Sequence, residues 1–151
     1  MAGSEAAWQA AERGVSVVLY EMRSVSHTAA HKTDSCAELV CSNSLGNNLP
    51  HSAPYILKEE LRSFNSIVIA SGDRNAVPAG SALAVDRDLF SQEITKKISN
   101  HPLITLKRQE IVEIPQSGPV IIATGPLTSP KLSEEISRLI GQEYLYFYDA
   151  L

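Results

Sequence analysis

The sequence predicts an α/β fold with a mainly parallel sheet, and three observations carry that prediction. A small-residue helical segment over 3–13 leads through Gly14 into the β-branched run 15–20 and then Glu21. Further along, apolar runs of strand length alternate with amphipathic segments of helix length. A second wholly apolar run, Val120-Ile121-Ile122-Ala123, ends in Thr124-Gly125. The 151 residues suffice for one domain with a core. A net charge of −4 argues against a chain that is basic throughout and coats nucleic acid. No apolar run approaches the roughly 18 residues of a membrane span. The N-terminus lacks a basic region followed by an apolar core, so no secretory signal is visible. Two cysteines, Cys36 and Cys41, make no disulfide framework, and a reducing cytoplasmic setting is the default expectation.

The first unit rests on its alanines. Ala2, Ala6, Ala7, Ala10 and Ala11 let a helix backbone approach a sheet closely, and Gly14 stops it where a positive φ costs glycine little. The run 15–20 reads as a buried parallel strand closed by Glu21. In a dinucleotide-binding βαβ unit, a glycine turn brings a pyrophosphate to a helix N-terminus. An acid after the next strand then receives the ribose hydroxyls. Gly3 and Glu21 stand where the last glycine and that acid belong, while the preceding strand and the Gly-x-Gly turn do not occur in this sequence.

Residues 22–54 read as a long irregular segment, a kind that is usually functional when ordered. Residues 55–64 read as a helix with Leu57, Leu61 and Phe64 on one face. Residues 67–70 fit either a helix or a short strand, ended by Ser71-Gly72-Asp73. Pro78 and Gly80 mark a turn before a candidate strand at 83–85. Asp86 is a good N-cap for a helix whose buried face is Phe90, Ile94 and Ile98, and Pro102 ends it. Residues 103–106 and 111–114 read as two short strands, a β-ribbon turned near 108–110. Residues 120–123 read as another strand. Ser129 and Pro130 open a last helix, with Leu132, Ile136 and Leu139 or Ile140 inward and Gly141 at its end. Residues 144–148 alternate as a strand would.

Four groups of residues could carry chemistry. Gly3 with Glu21, and Thr124-Gly125 after an apolar strand, both suit a nucleotide, since open α/β sheets bind ligands beyond the carboxyl ends of their strands. A strand ending in Ala-Thr-Gly is common in flavin-binding domains. Cys41, followed by Ser42-Asn43-Ser44, is either a small apolar residue or a nucleophile, the second requiring cations or N–H dipoles beside a thiolate. His27, His31, Cys36 and Cys41 have near-acceptable metal spacing, but their order and the short link between the pairs match no common zinc site. Lys96-Lys97 and Lys107-Arg108 read as solvated faces.

The run Ala-Glu-Leu-Val-Cys-Ser-Asn-Ser-Leu at 37–45 closely resembles the folate- and FAD-dependent tRNA (uracil-5-)-methyltransferase family, itself related to the glucose-inhibited division protein A family. So do the blocks at 2–9, 20–23, 77–80, 82–87, 121–130 and 143–150, in the same order. The resemblance implies a Rossmann-like FAD-binding domain of glutathione-reductase type lacking its first strand. It makes residues 1–151 a partial domain, truncated at both ends. It also implies an enzyme that takes a methylene group from 5,10-methylenetetrahydrofolate and reduces it with flavin hydride supplied by NAD(P)H. The product is 5-methyluridine in the T-loop of tRNA.

Carried over, Gly3 and Ser4 lie at the FAD pyrophosphate and Glu21 at the adenosine ribose. Cys41, Ser42 and Asn43 lie near the isoalloxazine, and Thr124 and Gly125 close over the flavin. Cys41 resembles one of two cysteines the family uses. The other, which resembles the uracil-attacking nucleophile, would lie beyond residue 151, and this chain alone is expected to be inactive. Ser24 stands where the family has proline, and Cys36 where an aromatic or apolar residue is common. The alternatives are the related tRNA wobble-uridine modification protein and a non-catalytic, truncated binding module.

Overall fold

The computed structural model describes residues 1–26 and 28–141. The expected strand at 144–148, the block at 143–150 and His27 lie outside the described residues.

Helix α1 (Ala2–Glu12) leads into strand β1 (Val17–Glu21). Gly14 has φ +83, and the amides of Gly14 and Val15 return to the carbonyls of Ala11 and Ala10. This double closure is the Schellman pattern that the alanine-rich stretch followed by glycine predicts. Ala7 and Ala11 are buried, and α1 lies against β1. Strand β1 pairs in parallel with β5 (Ile104–Arg108), in a register that sets Val17 beside Ile104 and Glu21 beside Arg108. The parallel pairing was expected, but full burial of β1 was not met: Val18 and Tyr20 are exposed, because one face of the pair is uncovered among the described residues.

A second sheet is antiparallel, so the mainly parallel sheet of the sequence reading is corrected. Strand β4 (Ala82–Val85) lies between β2 (Ser44–Asn47) and β3 (Ala76–Val77). Strand β2 falls inside the segment read as irregular. Its Ser-Leu-Gly-Asn sequence carries no apolar alternation to reveal it. The turn at Pro78 and Gly80 joins β3 to β4, with Gly80 at φ +59.

Helix α2 (Ala53–Ser63) forms where expected, but its inward face differs. Leu57 and Phe64 are exposed, whereas Lys58 is only 3% exposed. The Lys58 ammonium turns inward to donate to the carbonyls of Leu45, Asn47 and Pro54, at 3.3, 2.7 and 2.9 Å. A helix that points Lys58 inward rotates its neighbour Leu57 toward solvent. Helix α3 (Ile67–Arg74) takes in Ser71, Gly72 and Asp73, which do not end it. Gly72 serves packing: a Cβ there would come within 2.7 Å of Leu45 Cδ1. The N-terminus of α3 is capped twice. The Ser66 hydroxyl accepts from Ile69 N, and the Glu5 carboxylate of α1 accepts from Val68 N.

Helix α4 (Arg87–Asn100) is as read. Asp86 accepts from the amides of Asp88 and Leu89, and Phe90, Ile94 and Ile98 are fully buried at the centre of the core with Ile67, Val85 and Ile104. His101, before Pro102, leaves the helical region at ψ 126.

After β5 the expected ribbon is absent, and residues 111–114 form no strand. Nor do residues 120–123, whose Val120, Ile121 and Ile122 are exposed. A strand needs a neighbour to take its backbone hydrogen bonds, and no described strand lies beside either segment. Helix α5 (Pro130–Ile140) forms and stops at Gly141, φ +67. Its Ser129 contributes no side-chain cap, and Leu132 is buried while Leu139 and Ile140 are exposed.

Candidate functional site

Parallel pairing with β5 carries β1 to Glu21, which stands beside Arg108 in register at the carboxyl end of the pair. This is the position expected for the acid. Its carboxylate is not open on all sides, however. Arg23, two residues later, donates from Nε to Oε1 at 2.9 Å, from Nη2 to Oε2 at 2.7 Å, and from its backbone N to Oε1 at 3.1 Å. Burial by itself raises the Glu21 carboxyl, but the Arg23 hydrogen bonds and charge, with the charge of Arg108, hold it below the ordinary carboxylate range.

Arg23 is 5% exposed and also donates from Nη1 to Glu38 Oε2 at 3.2 Å. Glu38 gathers the opposite loop. It accepts from the amides of Lys32 and Thr33 and from the Thr33 hydroxyl. Burial raises Glu38, but these donors prevail and its pKa is lowered. Arg23 and Glu38 are therefore the neighbours of Glu21 that sequence patterning did not single out. Arg23 stood in a matched block without a role, and no spacing rule links it to an acid fifteen residues on.

Beyond Glu38 a cleft of about 520 Å³ opens toward the start of α4. Its lining includes Thr33, Glu38, Asn43, Val85, Asp86 and Arg87. Asn43 is fixed on β4: its side-chain amide donates to the Val85 carbonyl at 3.0 Å, while its own carbonyl accepts from Val85 N. Cys41 and Ser42 are exposed just ahead of it, and the Ser42 hydroxyl accepts from Ser44 N. Cys36 is instead buried, and its amide donates to Thr95 Oγ1, which ties the loop to α4. His31 Nδ1 lies 2.6 Å from Thr28 Oγ1.

The other predicted residues gather near the start of α1. Ser4 is buried within the helix. A Cβ on Gly3 would lie 3.4 Å from Ala123 Cβ and 3.9 Å from Leu19 Cδ1, so helix, strand and the 120–123 segment come within van der Waals contact of one another there. Thr124 and Gly125 follow as an exposed turn. Gly125 has φ +67, and its carbonyl accepts from Thr128 Oγ1. The structure thus brings together Gly3 and the approach to Thr124 on one side, and Asn43 with the cleft on the other. The ion-paired chain Glu21–Arg23–Glu38 runs between Glu21 at the end of β1 and the cleft.

Residues 1–151 match the family described as glucose inhibited division protein A. The chain belongs to that family. Among curated relatives, the methylenetetrahydrofolate--tRNA-(uracil-5-)-methyltransferase TrmFO of Listeria innocua is 61% identical over 150 residues, covering 99% of this chain. The TrmFO proteins of Enterococcus faecalis and Bacillus velezensis are 62% and 58% identical over the same share. In each case the chain spans 34% of the relative's length. No helix among the described residues is long and apolar enough to cross a membrane.

Proposed function

We propose that this chain forms part of the FAD-binding domain of a tRNA (uracil-5-)-methyltransferase that uses 5,10-methylenetetrahydrofolate as carbon donor and NAD(P)H as reductant. The observation that carries this reading is identity of 58–62% over 150 residues to proteins named for that reaction. The local geometry fits the cofactor. Gly3 stands in the first turn of α1, where the helix N-terminus would meet the pyrophosphate. Glu21 is held ionised at the end of β1, as a hydrogen-bond acceptor for a ribose should be. Ser4 beside Gly3, and the exposed Thr124-Gly125 turn, complete the candidate set for the dinucleotide. Asn43, which lines the cleft, and Ser42 before it face the flavin in this reading, with Cys41 as the candidate catalytic residue. The flavin, when bound, supplies the reducing electrons that convert a methylene to a methyl group. The chain's own residues bind and orient it.

The finer fold reading is a glutathione-reductase-type domain whose first strand and Gly-x-Gly are not in this chain. Two features support it. Among the described residues β1 pairs only with β5, and the apolar residues Val120, Ile121 and Ile122 lie exposed just ahead of Ala123, which contacts the Gly3 position. A strand between β1 and residues 120–123 would cover both. The tRNA and folate contacts belong, in this reading, to the part of the protein beyond these residues.

The test is flavin retention. The 151-residue chain is incubated with FAD, passed through gel filtration and read by visible absorption. A retained flavin band supports the site. A colourless chain that regains flavin when a strand and Gly-x-Gly turn are fused ahead of residue 1 supports the finer fold reading. A chain colourless in both forms overturns the FAD assignment.

A further inference from the structure

Three lone-pair sites of the Glu21 carboxylate are already spoken for. Oε1 accepts both the Nε and the backbone N of Arg23, and Oε2 accepts Nη2. An ionised carboxylate offers about four such sites. One acceptor position therefore remains, and it is on Oε2.

We infer that Arg23 is a positioning residue that turns Glu21 into a single-point acceptor for one ribose hydroxyl and ties it through Glu38 to the loop leading to Cys41. The inference rests on the proposed nucleotide site and goes beyond it. A free carboxylate could receive both hydroxyls of a ribose, whereas the clamped one receives only one.

The clamp is built rather than incidental. The Arg23 side chain is 6% exposed, that of Glu38 11% and that of Glu21 22%, so the guanidinium cannot simply swing away into water. Its fork matches a carboxylate in a way that a lysine ammonium does not. The titratable groups around Glu21 are Arg23, Arg108 on β5, Glu38, His31, Cys36 and the Met1 amine. Among the described residues Arg23 is the one that hydrogen-bonds its carboxylate.

The experiment measures the affinity of FAD and of its 2′-deoxyadenosine and 3′-deoxyadenosine analogues for wild type, Arg23→Gln and Arg23→Lys. It uses whichever form of the protein retains flavin. Wild type should lose about tenfold or more with one analogue and stay within about threefold with the other, the size of one hydrogen bond to a charged group. Arg23→Gln should weaken FAD about tenfold and bring the two analogues within about threefold of each other. Arg23→Lys should restore most of the affinity but not the discrimination. A parallel NMR titration of the Glu21 carboxyl in the ligand-free 151-residue chain should show its midpoint moving upward in Arg23→Gln.

Equal losses with both analogues in wild type, or discrimination unchanged in Arg23→Gln, overturn the inference. If wild type binds no form of FAD, the nucleotide reading fails and the ribose role falls with it. The titration then decides separately whether Arg23 governs the carboxylate, and an unmoved midpoint removes that as well.

Discussion

The inward face of helix α4 and the segment 120–123 are both strongly apolar, and the molecule treats them in opposite ways. Phe90, Ile94 and Ile98 are wholly buried, while Val120, Ile121 and Ile122 lie open to solvent. Hydrophobicity does not separate them. A helix satisfies its own backbone, so α4 needs only a surface to bury its face against, and α1, α3 and β5 provide one. A strand must find its hydrogen bonds on a neighbour, and 120–123 has none among the described residues. Apolar sequence is therefore read reliably where the element is self-sufficient, and unreliably where it depends on a partner far away in the chain.

The comparison can be broken most severely at Phe90. Phe90→Ala should cost about 3–5 kcal/mol in urea denaturation, because the cavity lies at the centre of the core. A cost below about 1 kcal/mol would mean that α4 is not the organising helix.

Acid sharpens the contrast next. Glu21 and Glu38 are depressed in the folded chain, so each contributes stability that is present above its ordinary pKa and lost as pH falls through the lowered folded value. Helix α4 carries one such group, Glu93, held low by Arg74, Asn75 and Lys97 on its partly exposed flank, while its buried face is Phe90, Ser91, Ile94 and Ile98. Amide exchange followed downward from about pH 5, near the ordinary glutamate range, should show the 22–43 loop opening before α4. Simultaneous opening would contradict this order.

Asp86→Ala should cost about 1 kcal/mol by removing the acceptor for two amides at the start of α4.

Position 24 tests the loop side. Ser24 has φ +79, a left-handed conformation closed to proline, whose ring fixes φ near −65°. Ser24→Gly should gain up to about 1 kcal/mol. Ser24→Pro should destabilise this turn by more than about 1 kcal/mol, read by thermal denaturation. A stabilising proline would mean that the 22–26 turn adopts another shape.

The smallest effect belongs to the exposed run. Ile121→Ser should change stability by no more than about 0.5 kcal/mol in this chain. If a strand is fused ahead of residue 1 and pairs there, the same substitution should become costly, and the contrast with α4 should disappear.

The same distinction explains how much could be read beforehand. Helices α1, α4 and α5 were legible because their spacing and stop signals lie within one stretch of sequence. Gly14, Asp86, Pro102 and Gly141 all act as expected. Gly72 misled, because a helix glycine demanded by Leu45 of strand β2 looks identical to a helix breaker. The inward face of α2 misled because Lys58 answers to carbonyls of the preceding strand β2. At the site, Glu21 was legible from the helix–strand–acid order. Arg23 and Glu38 were not, since an ion pair across fifteen residues of irregular chain leaves no periodic trace.

Lys58 has one further consequence. Its three N–H groups reach three carbonyls, so the ammonium acts much as a bound potassium ion would, moulding the chain from Leu45 to Pro54 around a charge. Unlike an ion it cannot dissociate, so the shape of the segment just beyond Cys41 does not depend on the salt present. It also makes the amine a chemical gauge. An acylating reagent can reach Lys58 only when that segment lets go, and the rate of its modification clocks how often it does.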